Sequence, residues 1–221
     1  MGLFTSTIEK MGRYGFLLVS MCLMIGLKPF LTNLVEEALL ADVFFTYVLI
    51  SGIYALDREP IAFRISCGLM AVVIILKVLH HTIGKIHYLH IVELILIILF
   101  IMQILSITLK HILIKQDVTT DIVMGGACTF ILLGFIWAYA YYLLETIYPN
   151  SIKAASPLSN DPSDYIYFSF VTLTSTGYGD ILAISPKARG LSILEAIIGQ
   201  LYLAIMISRL VSLHISDSRH K

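Results

Sequence analysis

Charge is scarce in this sequence. Only 14% of its 221 residues are charged and 58% are hydrophobic, whereas soluble domains carry roughly a quarter of their residues as charges. That balance excludes an ordinary soluble domain. The 15 basic and 15 acidic residues cancel, so no nucleic-acid partner is expected. Cysteine is scarce as well. Cys22, Cys67 and Cys128 lie far apart in apolar segments, which reads as small buried hydrophobes and argues against a disulfide or a metal site. Also missing are a Ser/His/Asp order, a metal-hydrolase motif and a nucleotide-binding loop, so neither an enzyme nor a cofactor is expected. Lys10 and Arg13 precede an apolar run from Tyr14 to Ile25, the outline of a signal peptide. Gly26-Leu27-Lys28-Pro29-Phe30 offers no small-residue cleavage site, however, and the run reads as a retained helix.

What is present is length in apolar runs. Six membrane-spanning helices can be laid out, at about 12–27 (ended by Pro29), 39–56, 61–79, 89–109, 122–146 and 188–213. Thr120 or Asp121 is a cap candidate for the fifth span. Lys10, Arg13, Arg58, Arg64, Lys110, Lys115, Arg209, Arg219 and Lys221 fall on one side if the spans alternate. Lys28, Lys77, Lys85, Lys153, Lys187 and Arg189 fall on the other. The bias predicts a multi-pass protein of the cell membrane, in contact with lipid, with both termini cytoplasmic.

Between the fifth and sixth spans the pattern breaks. Asp161-Pro162-Ser163-Asp164 has the form of a helix start, with Asp161 as cap, Pro162 at the first helical position and Asp164 at the capping-box position. The apolar stretch that follows, Tyr165 to Leu173, makes a helix of about 10 to 12 residues, roughly 15 to 18 Å long. That is only half of a hydrocarbon core of about 30 Å. Next comes Thr174-Ser175-Thr176-Gly177-Tyr178-Gly179-Asp180, polar and punctuated by two glycines that favour unusual dihedrals. A half-length helix followed by such a run is a re-entrant element, tolerated at membrane depth only where protein buries it or water lines it.

This run resembles the pore signature of tetrameric potassium channels, usually T-T-V-G-Y-G-D with a further Thr upstream. Thr172, Thr174, Gly177, Tyr178, Gly179 and Asp180 match it, while Ser175 replaces a Thr and Thr176 a Val. The resemblance covers about 161–212. It implies an all-α membrane protein of six transmembrane helices, a re-entrant pore helix and a selectivity-filter loop, assembled as a homotetramer around one pore. Residues 1–111 would form a four-helix N-terminal membrane domain, 112–121 a linker, 122–214 the pore domain and 215–221 a short cytoplasmic tail. K⁺ would be the permeant ligand, held by the carbonyls of Ser175, Thr176, Gly177 and Tyr178 and by the Ser175 hydroxyl. Tyr178 would act as a spacer outside the ring. The Thr176 hydroxyl would need a partner behind the filter.

Other roles follow from the same resemblance. Asp180 matches the acidic residue that props the filter from behind. Val171 stands where some members carry a glutamate, so that carboxylate pair is missing, and the Tyr167 hydroxyl is expected to substitute. Gly199 matches the hinge of the inner helix, and Arg189 the basic residue outside it. Gln200, Leu203 and Ile207 would face the cavity and its lower entrance, the last two as an apolar gate. Glu195, a carboxyl in an apolar helix, is expected to support the filter or to be paired structurally. Glu145 reads as interfacial.

The fourth span has no Arg or Lys between His90 and Lys110, so it is not a conventional voltage sensor. His80, His81, His87 and His90 with Glu93 invite a proton- or zinc-sensor reading, but the spacing is not a strong metal motif and histidines are natural at a membrane interface. Only about eight residues follow the sixth span, so no cytoplasmic sensor domain is expected in cis. The reading is a passive K⁺-selective channel. Its alternatives are a weakly selective Na⁺/K⁺ channel, suggested by Ser175 and Thr176, and a non-conducting scaffold or modulatory subunit.

Overall fold

The computed structural model describes residues 2–31, 60–83, 87–114, 119–154, 158 and 162–219. In chain order these form α1 (Gly2–Leu31), α2 (Pro60–Ile83), α3 (His87–Ile114), α4 (Thr120–Ile147), β1 (Ile152–Ala154), α5 (Ser163–Leu173), β2 (Ile181–Ala183) and α6 (Pro186–Arg219). Among the described residues three helices are long and apolar enough to cross a membrane: His87–Ile114, Thr120–Ile147 and Pro186–Ser212. Tyr14–Leu27 is a shorter apolar helical stretch. The span expected at 39–56, the cap candidate Asp161 and the side chains of His80 and His81 lie outside what is described.

Several helix limits differ from expectation. Helix α1 runs through Pro29 to Leu31, two residues past the proline expected to end it, at the cost of the hydrogen bond that proline cannot donate. Helix α3 continues to Ile114, and α6 reaches Arg219, well beyond 213. The cap of α4 is Thr119 rather than Thr120 or Asp121: its Oγ1 accepts the Ile122 N–H at 3.4 Å. Pro162 sits one place before the first helical residue of α5. The start of α6 follows the usual rule instead. Ser185 Oγ accepts the Ala188 N–H at 3.1 Å, and Pro186 takes the first helical position.

Strands β1 and β2 pair antiparallel, with Ile152 opposite Ala183, Lys153 opposite Leu182 and Ala154 opposite Ile181. They join the segment that leads toward α5 to the segment that leaves the Gly-rich run. Three residues are too few for any periodicity to show in sequence, so neither strand was expected.

The chain divides into two compact units, one of residues 1–67, 103–131 and 206–221, the other of 68–102 and 132–205. In the first, Tyr14, Leu17 and Met21 are buried with Ile112, Ile122 and Cys128. Gly125 lies so close to Ile112 and Tyr14 that a methyl group would meet both at 3.3 Å, the close approach that small residues give membrane helices. Arg209 Nη2 donates to the carbonyls of Ile112 and Leu113 at 2.9 and 2.6 Å, a cation on the last, unpaired acceptors of α3.

In the second unit the core is aromatic. Tyr141, Ile152, Tyr165, Phe168 and Ala188 form one buried cluster. Tyr141 meets Phe168 edge to face at 4.9 Å, and Tyr142 stacks on Tyr165 at 5.0 Å. Such pairs add about 0.5–1.5 kcal/mol beyond burial, and they hold α5 against α4.

Candidate functional site

Helix α5 has 11 residues, roughly 16 Å at 1.5 Å per residue. Two of its last carbonyls accept from the run that follows. Thr172 O accepts the Ser175 N–H at 2.9 Å, and Val171 O accepts both Thr176 N–H at 2.9 Å and Gly177 N–H at 3.3 Å. The polar run therefore folds back to close the helix that precedes it.

Beyond Thr174 (φ −84) the backbone alternates in hand. Ser175, Gly177 and Gly179 have φ of +57, +57 and +81, with Thr176 and Tyr178 between them on the negative side. Left-handed residues at every second position turn alternate peptide units over. Consecutive N–H groups then gather on one side. A methyl group at Gly177 or Gly179 would meet nothing within 4 Å, so glycine is required there by dihedral angle alone. Ser175 has no such freedom, and its conformation costs on the order of 1–3 kcal/mol. Residue type alone does not signal it, since serine is not a residue that seeks positive φ.

The hydroxyls are paired in order. Thr174 Oγ1 donates to Phe170 O at 2.7 Å and lies 2.9 Å from Thr176 Oγ1; since its hydrogen is used, Thr176 is the donor. The Thr176 hydroxyl thus has its partner in Thr174. Gln200 Nε2 donates to Ser175 Oγ at 3.1 Å, which ties α6 to the run. All seven residues from Thr174 to Asp180 are exposed in the single chain, Tyr178 to 71%.

Two side chains of α5, Tyr167 and Ser169, carry hydrogen bonds to acidic residues beyond the helix. Tyr167 Oη donates to Asp180 Oδ2 at 2.7 Å, and this bond holds the Asp180 carboxyl below the usual carboxylate range. The other is buried: Ser169 Oγ lies 2.7 Å from Gly134 O and 2.5 Å from Glu195 Oε1. Glu195 has 0% exposure, and its Oε2 accepts from Tyr141 Oη at 2.6 Å. Val171 supplies no side-chain hydrogen bond; its carbonyl is what holds Thr176 and Gly177. A methyl group on Gly199 would overlap the Leu173 carbonyl oxygen, so glycine there serves close backbone approach. Leu203 and Ile207 are exposed in the single chain.

Four further residues were not anticipated in these roles. Ser169 and Tyr141 are partners of Glu195 from 26 and 54 positions away; a small polar residue inside an apolar helix was the only visible signal. Glu145, expected at an interface, accepts the N–H groups of Asn150, Ser151 and Ile152 at 2.6 to 2.9 Å and so fixes the turn before β1. Arg189 Nε donates to Ala183 O at 3.3 Å.

The histidines separate. His87 meets Tyr88 edge to face, while His90 Nε2 lies 3.2 Å from Tyr142 Oη and its Nδ1 3.6 Å from Glu93. Lys77 is 3.7 Å from the other oxygen of Glu93. Among the described residues no group of three or more His, Cys, Asp or Glu is placed to hold a metal ion.

A family model described as "Ion channel" matches residues 128–215. The chain is also similar to the two pore potassium channel c of Oryza sativa subsp. japonica, 29% identical over 94 residues. That match takes in 41% of this chain and 21% of that protein's length. No solved structure matches the chain.

Proposed function

We propose that this chain, whose residues 128–215 match an ion-channel family model and part of which is similar to a two pore potassium channel, is a potassium channel that conducts K⁺ passively across a membrane. The observation that carries this reading is the alternation of φ at Ser175, Gly177 and Gly179 directly after a helix of half-span length. Peptide units that alternate in hand direct N–H groups to one side and leave carbonyls for the other. Four copies around an axis would present the carbonyls of Ser175, Thr176, Gly177 and Tyr178, with the Ser175 hydroxyl, as stacked oxygen sites that replace the ion's hydration shell.

One chain supplies one strand, so the ring requires a closed homotetramer. The exposure of the whole run in a single chain supports this, because polar backbone at membrane depth needs protein or a water-filled path beside it. Helix α5 is the re-entrant pore helix in this reading. Its C-terminal end carries about half an elementary negative charge toward the entering cation. Tyr167 and Asp180 prop the filter, Gln200, Leu203 and Ile207 line the way out, and six spans leave both termini cytoplasmic. Residues 1–111 act as a bracing membrane domain ahead of the pore at 122–214.

A second reading, weak discrimination between Na⁺ and K⁺, draws on the bond from Gln200 to Ser175. It engages one lone pair of the hydroxyl that would otherwise face the ion. The full-length chain reconstituted in lipid under opposed K⁺ and Na⁺ gradients decides. A reversal potential at the K⁺ equilibrium value is expected, and one near zero favours the second reading. Gly177→Ala and Gly179→Ala should each abolish selective current, since each forces an L side chain into a left-handed conformation costing about 1–2 kcal/mol in every copy. Normal selectivity in both would refute the filter assignment.

A further inference from the structure

We propose that Glu195 is a neutral carboxylic acid whose own proton is donated to Ser169, and that this clamp positions the filter. The case is a count of hydrogens. Five contacts run in one chain: Gly134 O to Ser169 Oγ (2.7 Å), Ser169 Oγ to Glu195 Oε1 (2.5 Å), Glu195 Oε2 to Tyr141 Oη (2.6 Å), Tyr141 Oη to Ser192 Oγ (3.2 Å) and Ser192 Oγ to Ala188 O (3.0 Å). Each contact needs one hydrogen. The carbonyls at the two ends supply none, and the three hydroxyls supply one each.

With an ionised Glu195, three hydrogens serve five contacts, and both short contacts of Ser169 compete for one. With the acid form there are four. Glu195 donates to Ser169, Ser169 to Gly134 O, Tyr141 to Glu195 and Ser192 to Ala188 O. The contact left over is the longest, Tyr141 to Ser192 at 3.2 Å. Among the described residues the polar partners of the carboxyl are two hydroxyls, Ser169 from α5 and Tyr141 from α4. A carboxylate buried without a cation is costly, whereas a neutral acid with a donor and an acceptor is satisfied.

The clamp acts through α5. Ser169 lies two residues before Val171, whose carbonyl takes the N–H groups of Thr176 and Gly177. A displacement of α5 at Ser169 therefore reaches the first turns of the run. Glu195 is a positioning residue, and this part of the proposal rests on the channel reading above.

The test uses the full-length protein in lipid vesicles. Infrared spectra of the wild type should contain a protonated-carboxyl C=O band that Glu195→Gln removes. The glutamine keeps a donor and an acceptor, so its K⁺ flux should match the wild type. Glu195→Ala strands the two hydroxyls and should lower flux about tenfold or more, the equivalent of the roughly 1–3 kcal/mol of a lost buried partner. Absence of any lost acid band, or a Gln variant as impaired as the Ala variant, overturns the proposal. If the wild type carries no K⁺ at all the channel reading falls, while the band still decides the protonation state.

Discussion

Two bonds leave the same short helix under opposite conditions. Tyr167 and Ser169 are two residues apart on α5, yet one reaches Asp180 in the open and the other reaches Glu195 where neither residue has any exposed surface. In the open, water competes for both partners and salt screens their charge, so the bond orients more than it stabilises. In the buried case no water replaces a lost partner, and the full cost of desolvation appears. The two contacts thus divide the work. The buried one holds the helix in place, and the exposed one aims the end of the run.

The largest effect on that comparison should come from Gly199→Val, which pushes a branched side chain against the backbone of Leu173. Overpacking against a backbone costs about 1–3 kcal/mol or more. Loss of the proposed homotetramer on size-exclusion chromatography is expected, together with loss of K⁺ flux. An intact assembly would show that α5 and α6 are free to separate. Next, Ser169→Ala removes the buried bond and leaves Glu195 short of a partner, a loss of about 1–3 kcal/mol. A clear drop in the thermal unfolding temperature is the expected reading, and an unchanged one would erase the contrast with Tyr167.

The smallest effect on stability belongs to Tyr167→Phe, whose unfolding temperature should equal that of the wild type. Its signature is in pH. Because the Tyr167 hydroxyl favours the Asp180 carboxylate, the folded-state pKa is depressed. The contribution of the bond is present above the ordinary carboxylate range and fades as pH falls through the depressed value. Acid should therefore impair wild-type flux only at low pH, and the Phe variant at higher pH. Coincident acid profiles would remove Asp180 from the account.

How much of this was legible in the sequence depended on distance along the chain. The half-length of α5 and the glycines at 177 and 179 could be read directly, since both are local properties of composition. The contact of Tyr167 with Asp180 spans only 13 positions and was expected through the resemblance. Glu195 was visible as an anomaly, but its partners were not. Tyr141 is one of several aromatics on α4, and only packing selects it. The left-handed Ser175 was hidden for a different reason, because its backbone is dictated by Val171 and Thr172 carbonyls rather than by its own preference. Helix ends were misplaced by a residue or two where Thr119 and Pro162 competed with equally plausible neighbours. The strands β1 and β2 were too short to register.

The near-contact of residue 199 with the Leu173 carbonyl has a mechanical consequence. Peptide meeting peptide leaves no pliable group to absorb a displacement, so the part of α6 above that point and the end of α5 should move as one piece. Any pivot in α6 would then lie on the C-terminal side of residue 199, beyond its contact with Leu173. Spin-label separations measured above residue 199 should stay constant while those below it change on opening, and equal changes on both sides would refute the lever.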